Sequence, residues 1–154
     1  MAGANHGVIL VRPAAADDAE AVTNVFLAAR QHSLAYLPRL YTDAQTLAFF
    51  TGIVAKGGVT IIEVEGKVAA FLALDGDDVD HLYVHPQNHR QGLGATLLEE
   101  TQKQRDRLEL WVFQRNEGAI AFYMKHGFVV IHSSDGQRNE EKEPDHRMAW
   151  LRSK

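Results

Sequence analysis

In HLYVHPQNHRQGLGATLLEE, residues 81–100, an apolar strand-like run meets a proline-containing turn, and a Gly-x-Gly stands directly ahead of an amphipathic helix. Glycine is among the poorest helix formers, and each of the two costs roughly 0.5–1 kcal/mol relative to alanine. Something other than local stability has to justify them. A strand ending near His85 and a helix starting near Gln91 aim the free N–H groups of the first helical turn beyond the strand end, where amides and helix dipole together hold an anion. Gly92 and Gly94 remove side chains that would keep that anion away, and a pyrophosphate fits. The plain alternative is tight helix–sheet packing with nothing bound. No Gly-x-x-x-x-Gly-Lys-Ser/Thr occurs in the chain, and the third glycine of the dinucleotide fingerprint is missing, so neither of those loops is present.

Working outward, strand-like and helix-like segments alternate. GVILVRPA (7–14) reads as a strand, followed by a helix with acidic residues at its start and Ala21, Val25, Leu27 and Ala28 on its apolar face. After SLAYLPRLYT, Thr42 and Gln45 form a capping-box pattern for a second helix, DAQTLAFFTGIVAKG. Three strand-like runs then turn at Glu65-Gly66 and at Asp75-Gly76-Asp77, an antiparallel meander. A helix from about Gln91 to Arg107, a strand at LELWVF, a helix at GAIAFYMKHG ended by Gly127, and a strand at FVVIHS follow. The polar loop SDGQRNEEKEPD leads to a last strand, HRMAWLR. The order β-α-α-β-β-β-α-β-α-β-β predicts a mixed α/β sheet with helices on both faces, in one domain over residues 1–154.

Composition narrows the function classes. At 154 residues the chain suits one core, a domain of this size burying roughly 68–70% of its unfolded surface. No apolar run approaches the ~18–20 residues of a membrane span, and MAGANHG lacks the basic start and apolar core of a signal peptide, so a cytoplasmic protein without a membrane partner is expected. The absence of cysteine excludes disulfides, thiolate nucleophiles and zinc-thiolate sites. A net charge of −4 argues against broad nucleic-acid binding.

A second segment decides between bound and empty. In NEGAIAFYMKHGF (116–128), Asn116 precedes a short helix carrying adjacent Phe122 and Tyr123, and Gly127-Phe128 ends it. This resembles the second cofactor segment of the GNAT superfamily of acyl-CoA-dependent N-acetyltransferases, Asn-x-x-Ala-x-x-Phe-Tyr-x-x-x-Gly-Phe, with Asn116, Ala119, Phe122, Tyr123, Gly127 and Phe128 all matching. His89-Arg90-Gln91-Gly92-Leu93-Gly94 is similar to the same superfamily's pyrophosphate loop, except that His89 stands where Gln or Arg is usual and Arg90 next door carries the positive charge. The resemblance implies an α/β (α+β) GNAT-like fold: a mostly antiparallel mixed sheet, a splayed central strand pair, and helices on both faces. It implies acetyl-CoA as acyl donor, held by the backbone of Leu82, Tyr83 and Val84, by His89, Arg90, Gln91, Gly92, Leu93, Gly94 and Ala95, and by Asn116 and Tyr123.

The implied reaction is direct attack of a primary amine on the thioester through a tetrahedral intermediate, with a backbone N–H near Tyr83 or Val84 as oxyanion donor. Tyr123 matches the position whose phenol protonates the departing thiolate; otherwise it is a packed aromatic, as Phe122 is expected to be. The amine must first lose a proton. Asp78 and Asp80 share one face of their strand at period two, and Asp80 is the favoured base, directly or through a water, with Asp78, His81 and ordered water as alternatives and a solvated turn as the plain reading of Asp77-Asp78. His81, His85 and His89 recur every four residues, but Pro86 forbids the helix that would converge them, so no metal is expected. His32, His126, His132 and His146 read as surface or structural residues, Lys125 and His126 as solvated charge, and Trp111 and Trp150 as sheet packing.

The resemblance implies that residues 32–41 and 134–145 wall the acceptor site. The acidic run Glu140-Glu141-Lys142-Glu143 suits a cationic amine, although a charge run in a loop is usually just solvated. A small-molecule or amino-acid-like acceptor is favoured over a protein or peptide, and a non-catalytic acyl-CoA-binding sensor is the alternative class. A homodimer is left open.

Overall fold

The computed structural model describes residues 8–153; MAGANHG, with the first residue of the predicted 7–14 strand, and Lys154 lie outside the described residues. The elements are β1 (Ile9–Pro13), α1 (Ala19–Ser33), α2 (Asp43–Lys56), β2 (Val59–Val64), β3 (Lys67–Asp75), β4 (Asp78–Val84), α3 (Leu93–Lys103), β5 (Arg107–Phe113), α4 (Glu117–Lys125), β6 (Val129–Ser134) and β7 (Asp145–Leu151). Their order is the one read from hydrophobic periodicity. The capping box of α2 forms in both directions: Gln45 N–H donates to Thr42 Oγ1 at 3.1 Å and Thr42 N–H to Gln45 Oε1 at 2.9 Å. Glu65 and Gly66 both take positive φ, 52° and 81°, the backbone of the two-residue turn that closes β2 onto β3. α3 is shorter than the 91–107 expected, because Gly92 at its start is left-handed (φ 74°) and Arg107 already pairs with Leu151.

One seven-stranded sheet runs in the order β1-β2-β3-β4-β5-β7-β6, antiparallel except where β4 meets β5. α1 and α2 cover one face through Val22, Val25, Phe50 and Val54 on Ile61 and Phe71. α3 and α4 cover the other, where Leu97 and Leu98 pack on Ile62, Leu72, Leu108 and Leu110. Each such fully buried side chain contributes about 1.5–3 kcal/mol relative to exposure, which pins β3 and β4 between two helical layers.

The two sides of β4 are unequal. Toward β3 it pairs from Asp78↔Asp75 to Val84↔Ala70. Toward β5 a single parallel pair, Asp78↔Glu109, is made, so the strands part beyond it. The splayed central pair is therefore present. A bulge lies in the same strand: Ala73 pairs His81 while Leu74 pairs Val79, leaving Asp80 as the extra residue. Val79, Leu82 and Val84 pack toward α3 and α4, whereas His81 and Tyr83 pack among aromatics on the α1–α2 side. The bulge thus puts His81 on the same side as Asp78 and Asp80, where strict alternation would have turned it away.

Candidate active site

The loop into α3 is built to leave amides free. His85 Nδ1 accepts the Gln87 N–H at 3.1 Å and starts one tight turn, Pro86–Asn88; Arg90 (φ 66°) and Gly92 (φ 74°) then take left-handed conformations. The first helical bond of α3 comes from Thr96 N–H to Gly92 O, 3.0 Å, and among the described residues no partner receives the N–H of Gly92, Leu93, Gly94 or Ala95. The two glycines differ. A Cβ on Gly92 would meet nothing within 4 Å, but the positive φ strains any other residue. A Cβ on Gly94 would touch Val84 and Phe122, each at 3.6 Å, so Gly94 faces the protein interior and its smallness serves packing. This corrects the reading that both glycines clear space for an anion. His89 leans its ring edge-on to His32 at 5.1 Å, toward α1, while Gln91 Oε1 accepts from the Asn88 carboxamide at 3.4 Å. His126 is a tie between helices, its ring nitrogens meeting Phe122 O at 2.9 Å and Glu99 Oε2 at 3.2 Å.

Beyond its pair with Glu109, β4 presents an open backbone edge. His85 N–H donates to Ala69 O at 2.8 Å, so the two-residue alternation turns Tyr83's N–H toward β3 as well and leaves those of Leu82 and Val84 facing the gap. Of the two expected oxyanion donors, Val84 has the free N–H and Tyr83 does not. Asn116 caps α4, its Oδ1 accepting the Ala119 N–H at 3.3 Å, which leaves its NH2 and one oxygen lone pair free. Tyr123 is half-buried, its ring 5.3 Å from Phe122 and 5.5 Å from Phe128, and its hydroxyl has no hydrogen-bond partner among the described residues. Burial, with a smaller contribution from Tyr83, raises its pKa above the ordinary phenol range, so it stays protonated through neutral pH.

Three candidate bases meet different fates on the opposite side of the gap. Asp78 is held by Arg147 at 2.8 Å, and Arg147 also binds Glu109 at 3.0 Å. His81 sits among Phe26, Phe49, Phe50, Phe71 and Tyr83 with its Nδ1 buried and unpartnered; burial lowers its pKa to about 4 and keeps it neutral. Asp80 makes no ion pair among the described residues and lines a cavity of about 1080 Å³ with Trp111, His132, Asp135, Glu140 and Glu141. Partial burial first, then the carboxylates of Asp75 and Asp78, raise its pKa and make it a better base than an ordinary aspartate.

Of the two segments named from sequence, 134–145 lines this cavity and 32–41 does not, and here the charge run does more than meet solvent. Glu141 pairs with Arg30 at 3.5 Å, Glu140 accepts from the Tyr41 hydroxyl, and Glu143 pairs with Arg115 at 3.0 Å, whose guanidinium lies 3.9 Å from the Tyr36 ring centroid. Trp111, expected to pack the sheet, is instead 53% exposed on the cavity lining. Among the described residues no helix covers that part of the sheet, a fact of topology that a strand pattern does not carry. Trp150 does pack, against Gly127 and the α4 side of the core.

A family model for the acetyltransferase (GNAT) domain matches residues 55–130, which include the splay, the α3 loop and α4. The chain belongs to the GNAT superfamily. Among curated relatives it is 30% identical over 89 residues to the peptidyl-lysine N-acetyltransferase YiaC of Escherichia coli (strain K12), the match covering 57% of this chain and 60% of YiaC. Less than two thirds of that relative's length is thus spanned. The GNAT fold extends over nearly the whole chain: a GCN5-related N-acetyltransferase from Rhodopseudomonas palustris superposes with a TM-score of 0.80 at 23% identity, covering 96% of this chain and 98% of that one. An N-acetyltransferase from Thermoplasma acidophilum, solved with coenzyme A, gives 0.70 at 18% identity over 94% and 99%. Among the described residues no helix is long and apolar enough to cross a membrane.

Proposed function

We propose that residues 1–154 form one N-acetyltransferase domain that moves an acetyl group from acetyl-CoA to a primary amine. The observation that carries this reading is the open edge of β4, lying between the free amides of α3 on one side and the Asp80 cavity on the other. The residues fit the donor. Four unpaired amides at Gly92 to Ala95, with Arg90 beside them, suit a pyrophosphate, and the Leu82 and Val84 edge suits an extended amide-bearing arm. Acetyl-CoA supplies an acyl group activated as a thioester.

The chain's own groups divide the remaining work. The Val84 N–H donates to oxygen where negative charge develops. Asp80, directly or through a water, takes the proton that an ammonium must lose before its nitrogen has a lone pair. Tyr123 holds its proton at Oη and donates to the departing sulfur. A non-catalytic sensor would have no use for an unpartnered phenol beside that edge.

For the acceptor, a small cationic or amino-acid-like amine is the first reading, supported by the carboxylates of Asp80, Asp135, Glu140 and Glu141 on the cavity wall. A lysine side chain in a protein or peptide is the second, favoured by the peptidyl-lysine activity named for YiaC. The test is free-thiol release from acetyl-CoA across amines, amino acids, polyamines, aminoglycosides and lysine peptides. Acceptor-dependent release is expected. Tight acetyl-CoA binding with no release above background for any amine would leave the sensor.

A further inference from the structure

Tyr83 was assigned only a backbone contact, yet its N–H is turned into the β3 ladder and its side chain is the unusual part. Its ring is set edge-on to Phe26 at 5.1 Å and lies 5.8 Å from Phe71 and 6.1 Å from His81. The residue is half-buried, and its hydroxyl has no hydrogen-bond partner among the described residues. The oxygen is not sealed from solvent, so a ligand's N–H can reach it. Tyr123 shares the condition, whereas the Tyr41 hydroxyl donates to Glu140 on the cavity lining. Tyr83 packs on the α1–α2 side of the sheet and Tyr123 on the α3–α4 side, with the gap left by β5 between them. Burial chiefly keeps both phenols protonated, Tyr83's pKa being pushed up to about 12.

The surroundings of Tyr83 point to the acceptor side. Phe26, its edge-on neighbour, lies 5.9 Å from the Arg30 guanidinium; Arg30 pairs with Glu141, and Glu141 lines the Asp80 cavity. Resting on the acetyltransferase reading above, we propose that the Tyr83 hydroxyl is an acceptor-positioning group whose oxygen accepts a hydrogen bond from the attacking amine and turns its lone pair toward the gap. Tyr123 then serves the donor side and Tyr83 the acceptor side. No proton changes hands at Tyr83, so the role is orientation alone.

The test is Tyr83→Phe, which keeps the ring in its aromatic setting and deletes one oxygen, examined with the best amine from the thiol-release panel. The acceptor KM is expected to rise about five- to tenfold, the worth of one hydrogen bond, while the acetyl-CoA Kd by calorimetry and the melting temperature stay at parental values. An unchanged acceptor KM overturns the assignment whatever happens to kcat, and so does a loss that falls on acetyl-CoA affinity instead. If the parent releases thiol with no amine at all, the acetyl-transfer reading fails and this role with it; if the parent is active and only the variant is indistinguishable, Tyr83 alone is misassigned.

Discussion

The two edges of β4 are made of the same seven residues and do opposite things. Toward β3 the edge is saturated: six registered pairs run from Asp78 to Val84, interrupted only by the Asp80 bulge. Toward β5 one pair is made and the rest of the edge is left open. Unpaired strand edges are liabilities that proteins usually cover, so an open edge in the middle of a sheet has to be filled by something that pairs like a strand. The saturated edge supplies rigidity, and the open edge is where the proposed donor would bind. His81 and Tyr83, on one side of the sheet, belong to the rigid part through their rings, and Val84's free N–H belongs to the binding part.

That contrast can be broken at three points. The largest effect is expected where open edge and chemistry meet: Tyr123→Phe and Asp80→Asn should each lower kcat about 10²- to 10³-fold with the acetyl-CoA Kd unchanged, read by steady-state kinetics and calorimetry. Parental turnover in either variant would reduce the open edge to a binding surface. Gly92→Val should weaken coenzyme A binding about tenfold to a hundredfold in a calorimetric titration, because a β-branched residue at φ 74° must move the loop and with it the amides. Unchanged affinity would mean that the amides of α3 hold no phosphate.

The smallest effect on activity, and the sharpest test of the rigid side, is His81→Phe. The folded pKa near 4 lies below the ordinary 6.5, so the unfolded chain binds the proton that the folded one refuses. The parent should therefore keep this contribution above pH 6.5 and lose about 3 kcal/mol of stability as pH falls toward 4. In urea titrations at several pH values the variant should lack that part of the acid sensitivity while its turnover stays parental. A fall in turnover would return His81 to the list of bases.

Local signals were legible because their physics is local. The capping box at Thr42 and Gln45 and the Glu65-Gly66 turn are each written within four residues, and each forms. The turn into α3 was legible through its glycines, of which Gly92 takes positive φ in open space and Gly94 faces Val84 and Phe122. What could not be read depends on partners far along the chain. Arg147 pairs with Asp78 across 69 residues, Arg30 engages Glu141 across 111, and Trp111 is exposed because no helix among the described residues crosses its part of the sheet.

By itself, then, the sequence determined the order of elements and the glycine turn and capped helix that carry the family resemblance, since hydrophobic period, glycine placement and caps act over one or two turns of chain. Tertiary structure alone decided which edge of β4 stays open, which of Asp78, Asp80 and His81 is ion-paired, cavity-facing or buried, and which phenols lack partners among the described residues. Burial, ion pairing and strand register are properties of pairs of distant residues, and no single stretch of chain contains them.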